Sequence, residues 1–400
     1  MIEYNKLYKW QKDAIGAWIK KNFRGTVVSP TGGGKTLFAL YCIQKLKTST
    51  FIVVPTEVLM HQWKNEMIKN LDISEKDIGL YYGKSKELKK YTIGIINSAS
   101  KADLSFYNFL IMDEVHRYSS SENIKIIKNN RFKYTLGVTA TLIRKDSRER
   151  LLEPLIGSNF YTYRMDEAIK DDVLSNFEVI NVSTTLTEIE KLEYDTVNDY
   201  IIENFKYFNY NFLKIQKTIS DTSLEWKKRA KAIKLIKMFN QRRKIYNNSE
   251  NKIIKTIEII KNHLSDKIIV FSQSINFANK IYEKCKNDNL NVEIYHSKNK
   301  NIESINKFSS SKSGILISVM SLNEGLNVKD ANIGIILGGF NVFKGKERVL
   351  TQRLGRILRK KENNSKAILY QIYSKETKDA TDTYKRRNML KKLNEKINNK

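Results

Sequence analysis

Ser29-Pro30-Thr31-Gly32-Gly33-Gly34-Lys35-Thr36 decides the fold of this chain. Three successive glycines let the backbone turn tightly and aim its N–H groups at phosphate oxygens. Lys35 then reaches the terminal phosphates of a nucleotide, and Thr36 offers its hydroxyl to Mg2+. The strict pattern begins with glycine, and here Ser29 takes that place. Gly25 to Val28 reads as a short buried strand, and Leu37 to Leu46 as the helix whose N-terminus faces the phosphates. Thr31, Gly32, Gly33, Gly34, Lys35 and Thr36 are the expected nucleotide-binding residues, with ATP and Mg2+ as the expected cofactors.

Outward from this loop, apolar runs alternate with helical stretches, the signature of an α/β architecture. A first unit covers about residues 1–180, with strands expected at Thr26–Val28, Phe51–Val54, Ile93–Ile96, Phe109–Met112 and Thr135–Val138. A second covers 251–384, with strands expected at Ile268–Ser272, Gly314–Val319, Ile333–Leu337 and Ala367–Ile372. Residues 187–250 lack apolar strand runs and read as a helical insertion between the two units. Within it, Trp226, Ala232, Ile233, Ile236 and Phe239 fall on one helical side, and Lys227, Lys231 and Lys234 share the other. That lysine face is either solvated or turned towards nucleic acid. Residues 385–400 read as a basic tail, a helix that frays.

A chain of 400 residues with 41% hydrophobic content holds two domains with real cores. No apolar run approaches the ~18 residues of a membrane span, and Met1 to Lys6 carries no signal-peptide core. Cys42 and Cys285 lie far apart, which argues against a disulfide framework or a zinc site and fits a reducing, cytoplasmic interior. The four histidines show no metal-ligand spacing. Lys and Arg number 71 against 43 Asp and Glu, a formal net charge of +28. An A+T-rich genome accounts for many lysines, but the deficit of acids implies a polyanionic partner, nucleic acid above all.

The strand Phe109-Leu110-Ile111-Met112 runs into Asp113-Glu114-Val115-His116. A carboxylate at the C-terminal end of a buried parallel strand, facing the phosphate loop, is where Mg2+ is held together with the loop threonine. Asp113 is the metal-side residue, and Glu114 is placed to take a proton from the attacking water. Far downstream, Gln352, Arg356 and Arg359 stand four and three residues apart, on one face of a helix. Guanidinium groups inserted from a second domain neutralise charge on the transferring phosphoryl, worth ~10³–10⁵ in rate.

These motifs in this order resemble the superfamily 2 helicases, over nearly the whole chain. The resemblance implies two RecA-like parallel-sheet domains, the first an ATP-binding domain, with ATP in the cleft between them. Gln11, in Leu7-Tyr8-Lys9-Trp10-Gln11, resembles the adenine-reading Gln motif, with Tyr8 where the family has a basic residue. Pro55 and Thr56 resemble motif Ia and Ser98 motif Ib, both loops that hold the nucleic-acid backbone. His116 completes a DExH box, and Thr139-Ala140-Thr141 matches the triplet that couples ATP state to closure. Ser272 and Gln273 resemble motif IV, and Gly325, in Asn323-Glu324-Gly325-Leu326-Asn327, resembles motif V beside the nucleotide. Gly137 to Asp146 is similar to the XPB branch, with Lys145 where that branch has Glu. Because the chain opens at the Gln motif, the resemblance implies no N-terminal DNA-recognition domain of the XPB or UvsW type. Its Lys- and Asn-rich compactness resembles a phage- or virus-encoded recombination helicase.

The expected activity is ATP-dependent unwinding or remodelling of DNA, forked or branched, alongside replication or recombination proteins. Three alternatives stay open on sequence: a DExH RNA helicase, a duplex translocase subunit of a larger complex, and a non-catalytic nucleic-acid-binding module. The first would show itself by preference for the 2′-hydroxyl. The last leaves the intact Lys35, Asp113, Glu114 and Arg359 unexplained.

Overall fold

The computed structural model describes residues 1–120, 122–128, 130–140, 151–299, 301–319, 331–338 and 367–398. Its first sheet contains β1 (Arg24–Val28), β2 (Thr50–Val54), β3 (Ile78–Tyr82), β4 (Ser85–Lys86), β5 (Tyr91–Ile95), β6 (Phe109–Asp113), β7 (Tyr134–Thr139) and β8 (Asn159–Thr162), in the order β4-β3-β5-β2-β6-β7-β1-β8. All described pairings are parallel except β3 with β4. Helices α1 (Lys9–Lys20), α2 (Lys35–Leu46), α3 (Glu57–Asn70), α4 (Ile96–Ala99), α5 (Lys125–Lys128), α6 (Glu153–Ile156) and α7 (Met165–Lys170) accompany it. The unbroken apolar runs of β2 and β6 follow from cover on both faces. Ile52, Val54, Phe109 and Ile111 enter one core, while Phe51, Val53, Leu110 and Met112 enter the other. That is the period-2 alternation of a pleated strand.

The second sheet is wholly parallel and contains β9 (Phe177–Thr184), β10 (Lys267–Ser272), β11 (Val292–Tyr295), β12 (Gly314–Val319), β13 (Ile333–Leu337) and β14 (Ala367–Ser374). Its order is β11-β12-β10-β13-β14-β9. Both sheets therefore carry the two parallel, RecA-like units read from sequence. The boundary expected at residue 180 falls inside β9, which pairs with β14 from Phe177↔Ala367 to Thr184↔Ser374. The open edge of β14 needs a hydrogen-bonding neighbour, and this strand supplies it.

Three helices follow β9: α8 (Glu188–Phe205), α9 (Phe212–Ser220) and α10 (Trp226–Asn247). Tyr194, Val197, Ile201, Phe208, Ile215, Ala232, Leu235, Ile245 and Tyr246 give them a core of their own. Because β9 precedes this unit and belongs to the second sheet, the insertion lies within the second domain, not between the two. Trp226 departs from the expected apolar face: it is 66% exposed at the start of α10.

Helices α11 (Glu250–Lys261), α12 (Ile275–Asn287), α13 (Ile302–Ser310) and α14 (Lys378–Asn398) complete the described elements. Residues 385–398 of the expected basic tail form the last two-thirds of α14. Leu390 is buried, and Met389, Leu393 and Ile397 pack with it against the core that also holds Met165, Ala168 and Ile169 of α7. Apolar side chains at helical spacing dock this face, although lysines and asparagines dominate the composition. At its root, Lys252 and Asp379 form a fully buried ion pair at 2.5 Å. Asp379 also accepts from the Ser374 N–H at 3.0 Å, and the buried Arg386 donates to Gln371 at 2.9 Å. No helix among the described residues is long and apolar enough to cross a membrane.

Candidate active site

Parallel register brings the chemistry to one edge. Val28 lies opposite Thr139, and Val138 opposite Asp113, so β1, β7 and β6 end side by side. The Ser29 N–H donates to the Thr139 carbonyl at 3.0 Å, which fixes where the loop leaves β1. From there the backbone turns through Gly32 (φ 84°) and Gly34 (φ 90°), left-handed conformations that suit glycine. Gly34 caps α2, whose first-turn N–H groups have no intrahelical acceptor. A Cβ on Gly33 would stand 2.6 Å from Ser29 Oγ and 3.0 Å from the Pro30 carbonyl. The loop is therefore packed against itself so closely at Gly33 that no side chain fits there. Lys35 Nζ folds back to the carbonyls of Ser29 at 2.8 Å and Pro30 at 3.0 Å. Ser29 Oγ is buried with no hydrogen-bond partner among the described residues.

Two side chains from α1 brace this loop. Trp10 Nε1 donates to the Gly33 carbonyl at 3.0 Å, and Gln11 Nε2 to the Gly34 carbonyl at 2.9 Å. Gln11 Oε1 accepts from the Tyr8 N–H at 2.9 Å. As placed, the Gln11 amide is fully buried and both of its polar atoms bond the protein itself. Trp10, stacked on Tyr163 at 5.1 Å, has a role that sequence reasoning misses; its indole needs an acceptor that only the folded loop provides.

Asp113 is buried and held by two donors. The Glu114 N–H reaches Oδ1 at 2.9 Å, and Trp63 Nε1 reaches Oδ2 at 3.0 Å. Burial, then the neighbouring Glu114 charge, push the Asp113 carboxyl up to about 6, against the Trp63 bond and the Lys35 charge. Glu114 itself sits at φ 52°, ψ 51°, a left-handed conformation rare for a side-chain-bearing residue. Such strain concentrates at functional positions. Thr139 Oγ1 lies 3.3 Å from Glu114 Oε2 and 3.0 Å from His116 Nδ1. Glu114 and His116 from one sequence motif and Thr139 from another form one chain of polar contacts. Thr36 occupies the second position of α2.

The other sequence-selected positions divide. Pro55 and Thr56 follow β2, and Ser98 lies on α4 after β5; since Val54 pairs with Ile95, they share one edge of the sheet. Thr56 caps α3 by accepting from the Leu59 N–H at 3.4 Å. Ser272 is fully buried and its hydroxyl bonds the Ser274 carbonyl at 3.0 Å, so as placed it presents no group to a phosphate. Gln273 Nε2 is buried without a hydrogen-bond partner among the described residues. On α10, Lys227 is exposed, while Lys231 lies over the Tyr207 ring at 4.5 Å and Lys234 over Tyr200 at 4.6 Å. Thr141, Gly325, Gln352, Arg356 and Arg359 lie outside the described residues.

Comparison with known proteins agrees with this arrangement. Residues 4–144 match the family described as type III restriction enzyme, res subunit, and 251–361 match the helicase conserved C-terminal domain. The DNA 3′-5′ translocase XPB2 of Sulfurisphaera tokodaii is 32% identical over 389 residues, 96% of this chain and 84% of that protein. The DNA 3′-5′ helicase XPB of Kineococcus radiotolerans is 24% identical over 89% of this chain, which spans 58% of that relative's length. The fold is similar to the Hef helicase domain of Pyrococcus furiosus, with TM-score 0.64 and 14% identity over 96% of this chain and 98% of that one. It is similar also to S. cerevisiae Dbp5 bound to RNA and ADP BeF3, with TM-score 0.62 and 13% identity over 99% of this chain and 88% of that one. The chain belongs to the XPB branch of the superfamily 2 helicases, a family of ATP-dependent enzymes.

Proposed function

We propose that this protein couples ATP hydrolysis to 3′-to-5′ movement along DNA, and that branched or forked DNA is its working substrate. The observation that carries the ATPase is the shared strand edge, where the glycine loop, Asp113, Glu114 and Thr139 meet. The Gly33 cradle and the buried, unpartnered Ser29 hydroxyl fit a phosphate ligand. Lys35 leaves its loop carbonyls for the terminal phosphates. Thr36 and Asp113 hold Mg2+, which when bound supplies positive charge against the phosphate oxygens. Glu114 takes the proton of the attacking water. His116 and Thr139 hold that carboxylate and sense its environment.

DNA follows from the net charge of +28 and from the DNA-directed names of the similar XPB proteins. Pro55, Thr56 and Ser98 grip the backbone at the adjoining edge, and the lysine face of α10 meets a branch. Contacts of this kind go to phosphates, so binding is sequence-tolerant and salt-sensitive. The test is steady-state ATPase with single-stranded DNA, duplex, a four-way junction and RNA, with Lys35→Ala as blank. Strongest stimulation by the junction is expected; stimulation by RNA alone, or by no polymer, would overturn the reading.

A further inference from the structure

Trp63 lies on α3, is 2% exposed and belongs to the main core. An indole buried this deeply needs an acceptor for its N–H, and a backbone carbonyl would satisfy it. The acceptor here is instead Asp113 Oδ2, at 3.0 Å. With the Glu114 N–H on Oδ1, each carboxylate oxygen holds one donor, which fixes the plane of the group. Each oxygen still has a lone pair for a further donor or a metal-bound water.

The same helix begins at the edge assigned to nucleic acid. Thr56 is the cap of α3, and Trp63 stands seven residues on, two turns or about 10.5 Å along a rigid rod. We propose that Trp63 is a positioning residue: its N–H holds Asp113 for the magnesium–nucleotide complex, and α3 carries movement at Thr56 to that carboxylate. This rests on the ATPase reading above. It adds a mechanical route from the track to the metal-side residue that runs through the first domain alone.

The test uses the full chain and Trp63→Phe, which keeps an aromatic ring and removes only the donor. Binding of ADP is followed by calorimetry at stepped free Mg2+, with and without duplex DNA. Loss of a donor that orients a ligating carboxylate costs about 10–100-fold in metal affinity. The half-saturating Mg2+ concentration should rise at least about tenfold in the variant, with Mg2+-free ADP affinity unchanged, and DNA should no longer lower it. A variant that binds Mg2+ and responds to DNA like the wild type, whatever its thermal midpoint, would overturn the proposal. Should the variant fail to fold, the four indole N–H resonances of 15N-tryptophan-labelled protein decide the matter. One should move both with Asp113→Asn and on adding Mg·ADP; no movement in either sinks the idea. Wild-type protein that binds no Mg·ADP would remove the ATPase reading itself, a result separable from both.

Discussion

Glu114 combines a left-handed backbone with a carboxylate tied to Thr139. Its replacement by Gln keeps the shape and removes the base, so turnover should fall by about 10²–10⁴ while ATP still binds. Single-turnover hydrolysis beside nucleotide binding checks this; unchanged hydrolysis would remove Glu114 from the role. Gly33→Ala places a methyl 2.6 Å from Ser29 Oγ and should weaken nucleotide binding more than it lowers thermal stability. Equal nucleotide affinity in the variant would mean the loop yields. Lys35, Asp113 and Glu114 were legible because phosphate chemistry demands those residue types at that order. Trp63, Trp10 and the bond from Gln11 to the Gly34 carbonyl were not, because a hydrogen-bond acceptor from a distant strand or loop leaves no trace in local spacing.

Among elements, the strands covered on both faces announced themselves as unbroken apolar runs, β2 and β6 most clearly. β9 did not: Val179 to Val182 are a run of half-buried residues with a buried residue only at each end of the strand, and its place depends on β14, nearly two hundred positions later. The docked half of α14 was hidden by its lysines and asparagines, since burial there rests on Leu390 and its neighbours one turn apart. The root of that helix offers a stability test. Lys252→Met strands the buried Asp379 carboxylate, and breaking such a pair from one side costs about 3–5 kcal/mol. Chemical denaturation should show that loss, and Lys252→Met with Asp379→Leu should recover most of it. A single variant as stable as the wild type would mean the carboxylate finds another partner.

At the scale of the molecule, the excess of positive charge predicts DNA affinity that falls steeply with salt. Replacing Lys227, Lys231 and Lys234 together by Ala should reduce the slope of log affinity against log salt, by about 0.9 for each duplex phosphate that a lysine no longer neutralises. An unchanged slope would assign that face to solvent. Two domains and a helical region were readable from the chain; which domain owns the helices was not, since that depends on a strand pairing. The ownership has a consequence. Residues 188–247 leave the second sheet at β9 and rejoin it through α11, and Lys378 N–H to Tyr194 Oη at 2.9 Å and Ser374 Oγ to the Tyr246 carbonyl at 3.2 Å fasten their base to the end of β14. The three helices are therefore an outrigger on one hull: a few degrees of rotation of the second sheet would become a far longer sweep at their tip.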